Sequence, residues 1–421
     1  MKNNVTRLAN GLTVATTELP HMASVSVGLW VGVGGRHEPP ALNGVSHFIE
    51  HMLFKGTRRR NAQQISQAVE GIGGYLNAFT TDDNSCFYAK ARHDHFPIVL
   101  EVLMDMLLNS TFLPGEIEKE REVIKEELHM YLDQPHQHVQ ELLDQTLWPD
   151  HALGRPLTGT VKSLDALGRR RLIAYERENY VASTVIVAAA GHLRHAAVVK
   201  AVERYAKKFP EGQAARAEPF TSAQQAPCIK LFTKDAKQTQ LALGVHTCSR
   251  HDERRHALRV LNAVLGENMS SRLFQVLRED RGLAYSINSS VDFYEDVGAL
   301  AISAGVDSDK LEKSLRLIRG ELRRLRETLP APSELRRARD YLIGQIDLSM
   351  ESTENQMMNL GEQLIDYGKT IPMTQIKRCL QEVTAAQVRA VARDFFTSDR
   401  MNLAVVGPRK GDRGLARLLE M

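Results

Sequence analysis

Apolar and polar residues alternate with a period of two on either side of Asn10-Gly11 within residues 5–20, which predicts a hairpin. From Ser24 to Val33, small or glycine positions alternate with larger apolar ones, as in a central strand covered on one side. After a loop rich in Gly and Pro the period changes. Phe48, Ile49, Met52, Leu53 and Phe54 lie between the turn signals Asn43-Gly44 and Lys55-Gly56, and predict a mostly buried helix. A second helix over 62–72 stops at Gly73-Gly74. A hairpin over 75–91 turns at Asp82-Asp83-Asn84, and an apolar helix spans 95–108. Pro114 opens a long charged helix reaching Tyr131, with Ile117, Val123, Ile124 and Leu128 as its expected buried stripe. A strand over 184–190 closes this run of elements.

Residues 211–227 are polar, contain two prolines and have no periodicity, so they read as a linker. The same order of elements then returns: a strand over 239–246, a helix over 256–265, a hairpin region and a long helix over 308–327. Gly282-Leu283-Ala284-Tyr285 echoes Gly74-Tyr75-Leu76-Asn77. The pattern predicts an α+β fold of two similar α/β roll domains, 1–210 and 228–421, each a sheet covered by helices.

Length supports more than one core, since 421 residues exceed what one ordinary domain buries. With 43% hydrophobic and 25% charged residues the chain has the make-up of a soluble globular protein. A net charge of +3 calls for neither nucleic acid nor an acidic membrane, and the clusters Arg58-Arg59-Arg60 and Arg169-Arg170-Arg171 read as solvated charge. Cys86, Cys228, Cys248 and Cys379 form no C-x-x-C pair, so neither a cysteine zinc site nor a disulfide framework is expected. No apolar leader region follows Met1-Lys2-Asn3-Asn4, and no run of ~18 apolar residues is present. The expectation is a cytoplasmic protein in a reducing compartment, with no nucleic-acid or membrane partner.

The chemistry centres on His47-x-x-Glu50-His51. One turn apart on a helix, His47 and His51 share a face and can both reach a Zn²⁺ at ~2.0–2.1 Å. Glu50 lies between them in angle, where it can face a water. Leaving such groups buried and unpartnered would cost several kcal/mol. A catalytic zinc takes three protein ligands and keeps one open position. The long acidic helix is the expected source of the third, with Glu120, Glu122, Glu126, Glu127 and His129 all in range. Glu120 and Glu127, seven apart, share a face and suit a ligand with its supporting carboxylate. The matching helix of the second half, His256 to Leu265, has no such motif, so one metal per chain is expected.

Four segments in order, His47 to Thr57, Gly73 to Thr80, Glu120 to Glu127 and Ser270 to Tyr285, resemble the pitrilysin family of H-x-x-E-H metallopeptidases. That family includes the catalytic β-subunit of mitochondrial processing peptidase and its bacterial relatives. The resemblance covers nearly the whole chain and implies that the two domains close over a cavity as half of a clamshell chamber. It implies Glu127 as third zinc ligand, Glu120 as the carboxylate supporting the site and Glu50 as general base. Asn77, Ala78 and Phe79 match an edge strand that pairs with an extended peptide substrate. Arg278 and Tyr285 match groups that the second domain places over the scissile bond. The implied function is a zinc endopeptidase cleaving short or unfolded peptides by zinc-activated water. Relatives work in pairs, so a homodimer or a heterodimer with a related subunit is implied. Two alternatives stand beside it: a maturation protease for one precursor, and a non-catalytic partner subunit. Members of the latter kind lose H-x-x-E-H or the downstream glutamate, and both are present here.

Overall fold

Strands and helices form close to where the two periods place them. The computed structural model describes residues 3–213 and 216–421, so Met1, Lys2 and, in the expected linker, Ala214 and Ala215 lie outside the described residues. The chain begins with β1 (Asn3–Arg7), β2 (Thr13–Glu18), β3 (Ser24–Val31), α1 (Val45–Leu53), α2 (Ala62–Glu70), β4 (Tyr75–Thr80) and β5 (Ser85–Arg92). It continues through α3 (Phe96–Asn109), α4 (Pro114–Asp133), α5 (Pro135–Leu147), α6 (Val161–Ala166), α7 (Arg169–Asn179), β6 (Val185–Gly191) and α8 (His195–Ala206). Then follow β7 (Cys228–Thr233), β8 (Gln238–Thr247), α9 (Arg255–Leu265), β9 (Ala284–Phe293), β10 (Gly298–Asp307), α10 (Leu311–Glu327) and α11 (Pro332–Ser349). Last come α12 (Thr353–Tyr367), α13 (Met373–Glu382), α14 (Ala385–Phe395), β11 (Asn402–Gly407) and α15 (Leu415–Leu418).

The first sheet has the order β1-β2-β6-β3-β5-β4 and the second β7-β11-β8-β10-β9. Apart from β1 the two share one topology. β2 pairs parallel with β6 as β7 does with β11, and every other neighbour is antiparallel. The repeat read from the sequence is therefore a repeat of sheets.

The units are not cut where the linker suggests. Residues 211–227 hold no helix or strand among those described. Yet the chain divides into one compact unit of Met1–Leu128, Arg155–Glu218 and Asp347–Ile371, and another of His129–Gly154, Pro219–Ile346 and Pro372–Met421. Helix α12 joins the first unit because one face of its sheet, with Ala15, Trp30, Ile186, Ala188 and Ala190, is covered by its Met357, Leu360 and Leu364. Helix α5 does the same in the second unit, setting Val139, Leu142, Leu143 and Leu147 on Ala242, Ala404 and Val406. Strands buried on both faces, such as the wholly buried β6, need a helix on each side. In each unit a helix from the other half of the sequence supplies one of them.

Close packing of α12 on the first sheet gives a sharp expectation. A Cβ at Gly361 would lie well inside contact distance of the fully buried Trp30 indole. Alanine is the better helix former by about 1 kcal/mol, but overpacking a rigid core outweighs that. Gly361→Ala should be destabilised by a net 1–3 kcal/mol, order of magnitude, seen as a lower midpoint of thermal unfolding.

Several expectations change on folding. Val123 is 49% exposed, because α4 buries Ile117, Glu120, Arg121, Ile124 and Leu128, and the residue before Ile124 points about 100° away from that stripe. The basic clusters are not all solvent charge. Arg60 pairs with Glu101 at 2.5 Å and Asp105 at 2.9 Å, whereas Arg169, Arg170 and Arg171 are exposed, Arg169 also donating to the Phe112 carbonyl at 2.8 Å. The four cysteines are free. Among the described residues no helix is long and apolar enough to cross a membrane.

One buried carboxyl makes stability depend on pH. Burial pushes Glu176, on α7, up to about 7 from an ordinary 4.5, with Arg177 opposing. The folded state therefore keeps a proton that the unfolded chain gives up. Its contribution is complete below pH 4.5 and is lost as pH rises through about 7. Glu176→Gln should be more stable, relative to wild type, at pH 8 than at pH 4.5 by about 1–3 kcal/mol, as read from denaturant unfolding at both pH values.

Candidate metal centre

Helix α1 buries Val45, Ser46, Phe48, Ile49, Met52 and Leu53 against the first sheet and its helical cover, which leaves His47, Glu50 and His51 half-buried on the remaining face. The His47 and His51 rings are 4.6 Å apart between centroids. Helix α4 crosses this face, held by its apolar stripe and by Arg121, which donates to the carbonyls of Leu164 and Leu167 and lies 5.7 Å over the Phe48 ring.

Glu127 Oε2 comes 3.7 Å from both His47 Nε2 and His51 Nε2. The donor atoms of the three residues all lie within 4.8 Å of one another, and among the described residues no other group of three His, Cys, Asp or Glu converges in this way. Two imidazoles and a carboxylate suit zinc, and the spacing leaves room between them for an ion. The choice left open on α4 is thereby narrowed: Glu122 is 69% exposed and paired with Lys125, and Glu126 and His129 are exposed. Glu120 stands one step behind. Its Oε2 is 3.1 Å from His51 Nδ1, while its Oε1 meets Lys55 Nζ at 2.8 Å. With Nδ1 bonded to a carboxylate, Nε2 of His51 is the nitrogen turned to Glu127. His47 Nδ1 is buried without a partner.

Electrostatics prepare these groups for cation binding. Burial, with His51 adding to it and Glu127 opposing, lowers His47 to about 4, so its imidazole is neutral at neutral pH. Burial pushes Glu50 up, against a hydrogen bond from Thr80 and the proximity of His51. For Glu120 burial acts upward too, but the bonds from His51 and Lys55 outweigh it and hold the carboxyl below its ordinary range.

Two participants were not singled out from the sequence. Thr80 Oγ1 donates to Glu50 Oε2 at 2.5 Å, and Lys55 fixes Glu120. Lys55 carries a faint signal in its closeness along the chain, four residues after His51, although α1 ends at Leu53. Thr80 carries none, because its reach to Glu50 depends on where β4 lies.

Strand β4 is the outer strand of the first sheet and, among the described residues, pairs only with β5. Asn77, Ala78 and Phe79 lie on it. The Asn77 side chain accepts from Ala78 N, and Phe79 packs edge-on to Trp30 at 5.5 Å, so its ring is a structural contact. Through Thr80 the end of this edge strand reaches the Glu50 carboxylate.

Arg278 and Tyr285 belong to the second unit and are neighbours there. Arg278 is the penultimate residue of a π-helical turn, Phe274–Glu279, and its guanidinium lies 5.0 Å over Phe274 and 5.7 Å over Tyr285. Tyr285 is 77% exposed on the edge strand β9. Ala284 pairs with Val306 and Ser286 with Gly305, so Tyr285 is the extra residue of a β-bulge.

The chain is similar to known proteins along most of its length. Residues 13–161 match the profile of insulinase, peptidase family M16, and residues 166–342 that of the peptidase M16 inactive domain. The chain is 37% identical over 419 residues to an uncharacterised zinc protease of Streptomyces coelicolor, covering 98% of this chain and 91% of that protein. It is 36% identical over 400 residues to an uncharacterised zinc protease of Bacillus subtilis, covering 95% and 97%. Among solved structures, a protease from Helicobacter pylori shares the fold with a TM-score of 0.92 at 20% identity, over 97% of this chain and 99% of that one. A peptidase M16 inactive domain from Pseudomonas fluorescens does so with a TM-score of 0.90 at 21% identity, over 98% and 99%.

Proposed function

For a chain that belongs to peptidase family M16, the pitrilysin and insulinase family of zinc proteases, we propose an endopeptidase that hydrolyses short or unfolded peptides, with His47, His51 and Glu127 holding one zinc. The observation that carries the reading is the convergence of those three donor groups beside a carboxyl, Glu50, held in place from the edge strand by Thr80.

When bound, zinc supplies Lewis acidity, lowering the pKa of water to ~7 and polarising a peptide carbonyl. Glu50 takes a proton from the water whose oxygen attacks the carbonyl carbon. It returns that proton to the amide nitrogen as the C–N bond breaks. Burial favours the first transfer, since a carboxyl pushed up is a better proton acceptor. Glu120 and Lys55 orient His51. Strand β4 offers free backbone N–H and C=O groups to an extended peptide, and only a segment not already folded can pair along it.

Arg278 and Tyr285 act in this proposal as donors to the developing oxyanion, a contribution of ~10²–10³ in rate for one such group. The bulge and the exposure of Tyr285 support that assignment. A homodimer, or a heterodimer with a related subunit, is the proposed working form.

The test is to quantify metal in the purified chain and follow cleavage of a quenched fluorescent peptide library. About one zinc per chain is expected, with cleavage abolished by a chelator and restored by zinc. A zinc-loaded chain that cleaves no member of the library would favour the non-catalytic partner reading instead.

A further inference from the structure

The helix that bears His47 and His51 starts without a capping side chain of its own. Its N-cap is Gly44, at φ 91°. Nothing larger fits there, because a Cβ would come 2.8 Å from the Thr158 carbonyl oxygen and 2.9 Å from Gly159 Cα. The usual Ser, Thr, Asp or Asn is thereby excluded. The cap comes instead from six residues upstream. Glu38 Oε2 accepts from Gly44 N at 2.7 Å and from Asn43 Nδ2 at 3.3 Å, and its Oε1 accepts from Ser46 N at 2.8 Å.

One carboxylate thus holds two backbone N–H groups at the start of α1, one of them on the residue before His47. Glu38 is itself fixed, being 3% exposed and having its carbonyl bonded by Arg155 Nη2 at 2.6 Å. Asn43 also donates to the Pro156 carbonyl at 3.0 Å, so the segment after Arg155 braces the same turn.

We propose that Glu38 is a positioning residue for the metal centre: by gripping the first turn of α1 it sets the rotation of that helix, and hence where His47 and His51 stand relative to Glu127. The argument is geometric. Side-chain ends lie about 5–6 Å from a helix axis, so turning α1 by about 10° moves a ligand nitrogen by about 1 Å. A metal site tolerates about 0.5 Å. Glu127 and Glu120 come from α4 and would not follow such a turn. A carboxylate suits the task because it accepts in two directions at once at the positive end of a helix.

This inference rests on the zinc peptidase reading, and the experiment separates the two. Wild type, Glu38→Gln and Glu38→Ala are compared as full chains. Zinc dissociation constants come from chelator competition, ligand geometry from visible spectra of the Co²⁺-substituted proteins, and stability from thermal unfolding without metal. Glutamine keeps the shape but sets an NH₂ group against one of the two backbone N–H groups. It carries the test if the alanine variant does not fold. Glu38→Gln is expected to bind zinc about 10-fold or more weakly, with an altered Co²⁺ spectrum. Its kcat should fall about tenfold with KM little changed. A Glu38→Gln protein with wild-type zinc affinity and Co²⁺ spectrum overturns the inference, even if its thermal midpoint is lower, since that is a cap and nothing more. If wild type itself binds no zinc, the peptidase reading fails first and this inference with it.

Discussion

Glu50→Gln should bind zinc as wild type does and lose at least about 10³-fold in kcat/KM, within the range for removing a general base. The substitution is nearly isosteric, so Thr80 can still donate to the side-chain oxygen at the position it now occupies, 2.5 Å away. An amide cannot take up the proton of the attacking water, and the barrier rises for that reason alone. Glu50 is not among the three groups whose donor atoms converge, so the metal content should be unaffected. Elemental analysis beside single-turnover cleavage checks both halves of the expectation. A variant that cleaves at a tenth of the wild-type rate or better would assign the proton transfer to another group.

The two carboxylates of α4 should separate by the size of their effects on metal binding. Glu127→Ala removes the one anionic donor facing both imidazoles, and zinc should be lost from the purified protein, with activity falling to background. Two neutral imidazoles alone leave the site one ligand short. Glu120→Gln touches no ligand position, only the Nδ1 side of His51 and the ammonium of Lys55. A loss of about 10–100-fold in zinc affinity is expected there, with the site still loadable in excess zinc. Competition titration against a chelator of known affinity ranks the two. The reverse ranking would make Glu120 the ligand and Glu127 its support.

Helical spacing alone left that ranking open, and only the family resemblance assigned it. Glu120 and Glu127 lie two turns apart on one face, and periodicity treats them alike. Their roles separate only because α4 crosses α1 with Glu127 opposite Nε2 of both histidines and Glu120 opposite Nδ1 of one. The same crossing buries Ile117 and Ile124 while leaving Val123 exposed, although all three are β-branched and apolar.

The sequence alone determined the parts whose physics is local. A 3.6-residue period places His47, Glu50 and His51 on one face of α1 wherever that helix goes. Asn10-Gly11 and Asp82-Asp83-Asn84 turn their hairpins by backbone preference, and the second half repeats the strand and helix order of the first. Tertiary structure decided what depends on elements remote in the chain. It made β4 an edge strand, through the order β1-β2-β6-β3-β5-β4, and brought Thr80 to Glu50. It drew α5 and α12 each into the unit built mainly from the other half of the sequence, and let Glu38 cap a helix whose own N-cap has no room for a side chain. Local hydrogen bonds and dihedral preferences are written residue by residue, whereas which apolar face meets which is settled only when the whole core packs.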